Sequence, residues 1–230
     1  MPTDRFEGFA DRKGAFFAAL AKHQDREWFA AHKAEYDEGW AKPLGALLAE
    51  AREAVDDLYP DFELGDAKVF RIHRDVRFAA DKSPYKTHAG GLVPLGHAKV
   101  ALDVSAALYV QVGKESFAAA GMYGMGPEAL ARYRAAVADE KRGKEIEKIV
   151  LGLVKKGFSL DSMETLKKVP RGFEPDHPRA ELLKRKGLIV MFPKLEPADL
   201  VSRKILTTIV KHAKAAAPFV RWVTGVAEGR

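Results

Sequence analysis

The segment KVFRIHRDVRFAADKSPYKTH, Lys68–His88, decides how the rest of the chain reads. Taken as extended backbone, its side chains alternate between two faces. Phe70, Ile72, Val76 and Phe78 fall on one face, and Arg71, His73, Asp75 and Arg77 on the other. Arg74 breaks the alternation by joining the apolar set. A charge turned toward a core is costly unless it is paired or opens onto a cleft. The segment holds six Lys or Arg against two Asp, a net +4, while the whole chain carries +6. After Phe78 the pattern dissolves into a loop, DKSPYKT, held by Pro84. An arginine-rich strand and loop facing a hollow is a candidate anion site.

Before this segment the hydrophobic period is that of helices. Asp11 is placed to cap a first helix over Arg12–Lys22 that presents Phe16, Phe17 and Leu20. Asp25 opens a second, REWFAAHKAEYDEGW, with Trp28, His32 and Tyr36 four apart on one stripe. Pro43 suits the first turn of a third helix, which carries Leu44, Leu47, Leu48, Ala51, Val55 and Leu58 and ends at Tyr59-Pro60. Beyond the central segment, Gly90–Pro94 reads as a short strand. Ser105–Val112 reads as a central strand, and Glu115–Tyr123 as its hairpin partner. Helices follow over Glu128–Ala138 and Lys141–Lys156, then a mostly irregular stretch, Phe158–Phe173. Asp176-His177-Pro178 opens a short helix ending at Gly187, and Leu188–Phe192 is an apolar strand. A C-terminal helical region, Asp199–Ala227, is interrupted at Pro218. Strands joined by short links favour an antiparallel or mixed sheet over repeated βαβ units. The expectation is one α+β domain over 1–230, helical at 10–60, with a sheet core at 66–124. Residues 126–230 are helical with one further strand.

Composition sets limits on function. The 230 residues are 47% hydrophobic and 30% charged, as in an ordinary globular protein. There is no cysteine, which removes disulfides, thiolate catalysis and cysteine-ligated zinc. The N-terminal MPTDRFEGFADRK lacks the apolar core of a signal peptide, and no apolar run reaches the length of a membrane span. A cytoplasmic protein without a membrane partner is expected. The pI near 9.3 permits an acidic partner, such as nucleic acid or a phosphorylated metabolite, without demanding one.

Histidines stand at 23, 32, 73, 88, 97, 177 and 212, and none forms a metal-binding pattern, so neither metal nor cofactor is predicted. Gly121-Met-Tyr-Gly-Met-Gly126 precedes a helix, but its spacing is that of a hairpin exit and not a phosphate loop. Ser83 between Lys82 and Pro84 fits a turn better than a nucleophile. Asp75 and Asp81 each have cations beside them that would hold them ionised. Arginine forks at near-alternate spacing are the more specific signal, suited to phosphate or carboxylate. The candidate ligand set is Arg71, Arg74, Asp75, Arg77, Asp81, Lys82, Ser83, Tyr85 and Lys86. Trp28, His32 and Tyr36 would line the pocket, or pack as core. Arg171, in the second basic run Lys167–Phe173, lines the same cleft or belongs to an exposed loop of solubilising charge. Three functions compete: a site for an anionic, phosphate-bearing small molecule, binding or catalytic; association with nucleic acid; and a structural network pairing these arginines with Asp75, Asp81 and a helix carboxylate such as Glu35.

Four blocks resemble the bacterial and fungal domain-of-unknown-function family numbered 2461. They are WFAAHKAEY (Trp28–Tyr36), the Lys68–His88 segment, GMYGMGPEALARYR (Gly121–Arg134) and LKKVPRGFEPDHPRAELLKRKG (Leu166–Gly187). His73 stands where the family pattern suggests tyrosine, and Ala79-Ala80 where it suggests serine. The resemblance implies a single domain and supplies no activity, cofactor or substrate.

Overall fold

The computed structural model describes residues 5–62, 64–96 and 105–230, which leaves His97 outside the described residues. Six strands, β1 (Lys68–Val69), β2 (His88–Pro94), β3 (Ala107–Gly113), β4 (Phe117–Met122), β5 (Ser159–Asp161) and β6 (Leu188–Met191), form one sheet in the order β1-β2-β3-β4-β6-β5. Every pairing is antiparallel, which resolves the choice between an antiparallel and a mixed sheet. The fold is α+β. Leu108, Val110 and Val112 alternate with half-buried Ala107, Tyr109 and Gln111 along β3, so one face of the sheet is core and the other is partly open.

Helices α1 (Ala15–Leu20), α2 (Arg26–Tyr36) and α3 (Lys42–Val55) precede the sheet. Those that follow are α4 (Pro127–Ala138), α5 (Glu140–Val154), α6 (Ala180–Leu183) and α7 (Lys204–Glu228). The apolar stripe of α3 lies so close to β2 that a Cβ on Gly91 would sit 2.6 Å from Leu48 Cδ1. Glu50 on α3 joins three parts of the chain. It takes a bidentate pair from Arg203 at 2.6 and 3.1 Å and the Phe6 N–H at 2.6 Å.

Several boundaries differ from the sequence expectation for identifiable reasons. The first helix begins at Ala15, because the Asp11 carboxylate accepts from the Lys13 and Ala15 N–H groups and Gly14 takes a left-handed turn. Asp25 caps α2 as expected, through the Trp28 N–H at 2.7 Å. A π-helical turn over Asp37–Ala41 joins α2 to α3 without a break. Pro43 has no N–H to give the Gly39 carbonyl, which accepts from Ala10 instead at 3.1 Å. Pro218 does not interrupt α7, since it lies on the exposed face, where water can take up the freed carbonyl. The stretch expected to be irregular contains β5, a three-residue edge strand. Asp176 caps nothing. The Arg179 N–H is received by His177 Nδ1 at 3.0 Å.

Candidate functional site

Before its last residue, His88, which opens β2, the Lys68–His88 segment forms a regular strand only at Lys68–Val69, yet the ladder continues beyond it. The Phe70 N–H bonds the Gly90 carbonyl at 2.8 Å, Lys86 N–H the Ile72 carbonyl at 2.9 Å, and Arg74 N–H the Pro84 carbonyl at 2.8 Å. Pro84 can accept but not donate, so pairing stops there. The result is a finger that extends the β1–β2 hairpin past the sheet edge. The expected alternation survives along its rising limb: Ile72 is buried, Arg74 and Val76 are half-buried, and Arg71, His73 and Asp75 are exposed. It fails at Phe78, which is 96% exposed at the tip.

The tip is built from two carboxylate turns. Asp75 accepts from the Arg77 N–H at 3.2 Å and from its guanidinium at 2.7 Å. Asp81 accepts the Ser83 N–H at 2.9 Å and its hydroxyl at 2.6 Å, and pairs with the Arg74 guanidinium. The Ser83 hydroxyl and then Arg74 hold the Asp81 carboxyl well below the usual carboxylate range, and Arg77 does the same for Asp75. Both acids are therefore committed anions, poor general bases at neutral pH. Lys82 donates to the Val76 carbonyl at 3.0 Å. These pairs close within the segment instead of reaching Glu35, and they are exposed.

Where the finger meets the end of α1, a hollow of about 360 Å³ opens, lined by Ala21, Gln24, Arg74, Asp81, Ser83, Tyr85, Lys86, Thr87 and His88. Gln24 fixes this seam. Its side-chain N–H bonds the Leu20 carbonyl and its oxygen receives the Tyr85 N–H, both at 3.0 Å. The Tyr85 ring is buried against Phe29 of α2, stacked at 4.5 Å, so it is a floor more than a contact. Lys86 is the distinctive group. Its ammonium donates to the Arg71 carbonyl at 3.1 Å, lies 5.6 Å over the Phe70 ring, and has no ion pair among the described residues. Burial, then the neighbouring Arg71 charge, lowers its pKa. Burial, then Lys86, lowers that of His88. A half-buried ammonium, a depressed imidazole and an arginine fork thus share one polar concavity, where a group of opposite sign would relieve both shifts.

Of the residues predicted from sequence, the hollow gathers Arg74, Asp81, Ser83, Tyr85 and Lys86. Arg71 lies just outside, and Asp75, Arg77 and Lys82 stay at the finger tip. Trp28 is sandwiched between His23 and His32, at 5.5 and 3.9 Å between ring centroids, and Tyr36 is buried beneath Phe16, Phe17 and Phe29. Burial, with Asp37 nearby, pushes the Tyr36 phenol up to about 12. Tyr36 is therefore core. Arg171 is exposed in a separate loop. Arg179, beyond that basic run, is buried and serves the end of α4, donating to the Val137 carbonyl at 2.6 Å. Gln24, Thr87 and His88 were missed as lining residues. Only His88 carried a signal, as the histidine that closes the segment.

No helix among the described residues is long and apolar enough to cross a membrane. The family described as "Conserved hypothetical protein (DUF2461)" matches residues 14–222. No curated protein matches the chain.

Proposed function

The chain belongs to the DUF2461 family of conserved hypothetical proteins, and on that premise we propose that the hollow between α1 and the β1–β2 finger binds a small molecule through an oxyanion. Lys86 and Arg74 are the cationic contacts, Ser83 and Thr87 offer hydroxyls, and His88 titrates beside them. The observation that carries this reading is Lys86, an ammonium drawn out of water beside other cations with no carboxylate among the described residues to meet it. Exposed neighbours of like sign normally turn away from each other into solvent. Keeping one half-buried costs free energy that a bound anion would return. The volume is at the lower end of metabolite pockets, which suits a sugar phosphate or a phosphorylated acid better than a dinucleotide. Asp81, the acid that lines the hollow, is held as an anion and is not free to act as a base, so binding is the activity proposed.

Thermal shift and calorimetry at low salt test it, with sulfate, inorganic phosphate, a hexose phosphate, a nucleoside monophosphate and a short oligonucleotide as probes. At least one phosphate compound should bind saturably, and Lys86→Ala should weaken it about tenfold, the loss of one charge-assisted contact. Absence of saturable binding by every probe would contradict the proposal. Retention of the oligonucleotide alone, lost steeply with salt, would favour nucleic acid. For that second reading Phe78, exposed beside Arg77 at the finger tip, supplies a stacking ring.

A further inference from the structure

We infer that the ligand of the finger hollow carries a flat heteroaromatic ring, as a nucleoside monophosphate does, and that this ring stacks on the open face of the sheet. The inference rests on the oxyanion reading of that hollow and adds the other half of the molecule it binds. Lys86 and His88 line the hollow, and Gly90 follows them on the same face of the sheet.

Three rings lie there in a row across the strands: Phe70 just beyond β1, Tyr109 on β3 and Phe117 on β4. Neighbouring centroids are 6.4 and 5.7 Å apart, with interplanar angles of 31° and 47°. All three rings are half-buried, and none joins the core cluster to which Leu108, Val110 and Val112 of the opposite face belong. The middle ring has a built seat. A Cβ on Gly90 would stand 2.8 Å from the Tyr109 hydroxyl and 3.5 Å from its Cζ, so glycine there lets the ring lean over the backbone of β2. Ala119, opposite Tyr109 on β4, is also small. The Tyr109 hydroxyl donates to Gln111 Oε1 at 3.0 Å, and the Gln111 amide donates to the Glu115 carbonyl at 3.2 Å. The ring is thus fixed in one orientation before a ligand arrives.

Cross-strand aromatic pairs also stabilise sheets on their own account. Charge is what turns this row toward a ligand. The Lys86 ammonium lies 5.6 Å over the Phe70 ring, and exposed Lys68 stands two residues before Phe70 on the same face. Positive charge therefore gathers at the Phe70 end, and rings continue from it. That polarity fits a molecule anionic at one end and flat at the other. The separations along the row are on the scale of the sugar that joins a base to its phosphate. With the base on the sheet, the hollow has to hold only the phosphate and that sugar, and its volume suits them.

Calorimetry on the full chain at low salt compares adenosine 5′-monophosphate with ribose 5-phosphate, the same sugar and oxyanion with and without the base. The nucleotide should bind about tenfold more tightly, the contribution of one stacked base. Tyr109→Leu should erase that difference and leave ribose 5-phosphate unchanged. Gly90→Ala, which displaces the ring without removing it, should do the same. Nuclear Overhauser contacts from adenine protons to the Phe70 and Tyr109 rings report the stack in the unaltered protein, so the test holds even where a variant fails to fold. Equal affinities for the two probes, or a Tyr109→Leu that weakens both alike, would overturn the inference and leave the oxyanion reading intact. A row that only braces the sheet gives that result, with a lowered thermal midpoint in Tyr109→Leu. If neither compound binds, the oxyanion reading itself fails, and this inference with it. A short oligonucleotide held about tenfold tighter than the monophosphate would overturn the small-molecule assignment in favour of a single strand.

Discussion

Arg74 and Lys86 hold positive charge in different ways: Arg74 meets a carboxylate, and Lys86 meets a carbonyl and a ring face. Arg74 is 29% exposed and pairs with an Asp81 that is 59% exposed, so solvent screens much of their attraction. A network of this kind shapes the finger tip without underwriting the fold. Arg74→Ala should lower the thermal midpoint by no more than about 2–4 °C, read by circular dichroism. A loss of about 10 °C or more would restore the view that these arginines are a structural lock. Arg74 was legible in the sequence, since an arginine on the apolar face had to be paired or face a cleft, and here it does both. Gln24 and Thr87 were not legible. Nothing in their local pattern distinguishes them from other polar residues, and only the packing of α1 on the finger brings them to the hollow.

At the scale of elements, the sequence carried period well and partnership poorly. The long helices α3 and α5 and the strands β2, β3 and β4 fall within a few residues of where their patterns put them. The finger does not, because alternation reports an extended chain and says nothing about how far a neighbour accompanies it. Pairing ends at Pro84, so Phe78 keeps its place in the pattern and loses the core it was expected to meet. Edge strand β5 is too short to show a period at all. The junction of β4 and β6 offers a sharper test of the topology. Gly121 has φ +128, and a Cβ there would lie 2.4 Å from the Leu188 carbonyl oxygen of β6. A side chain would strain the backbone and push two paired strands apart. Gly121→Ala should cost about 3 kcal/mol in urea unfolding. A change below about 0.5 kcal/mol would mean that these strands do not meet in this register.

For the whole molecule, the fold's contribution is placement. Glu50 and Arg203 tie the N-terminal segment to α3 and α7 around one core, and α1 is thereby seated against the finger that extends from β1 and β2. The basic excess that a charge count spreads over the chain is partly cancelled along the finger by Asp75 and Asp81, and reaches the hollow uncancelled at Lys86. That location is the central claim, and proton linkage tests it. Burial and Lys86 lower the His88 pKa, so near neutral pH the free protein holds a neutral imidazole there. A bound anion favours the protonated ring and raises its pKa, so binding takes up protons and affinity increases as pH falls through the histidine range. Sulfate is the suitable probe, because its own charge stays constant there. The decisive measurement is the NMR titration of His88 without and with saturating sulfate. The pKa should start below the usual histidine value, rise when sulfate is present, and rise much less in Lys86→Ala. An unchanged His88 pKa under sulfate would contradict the account.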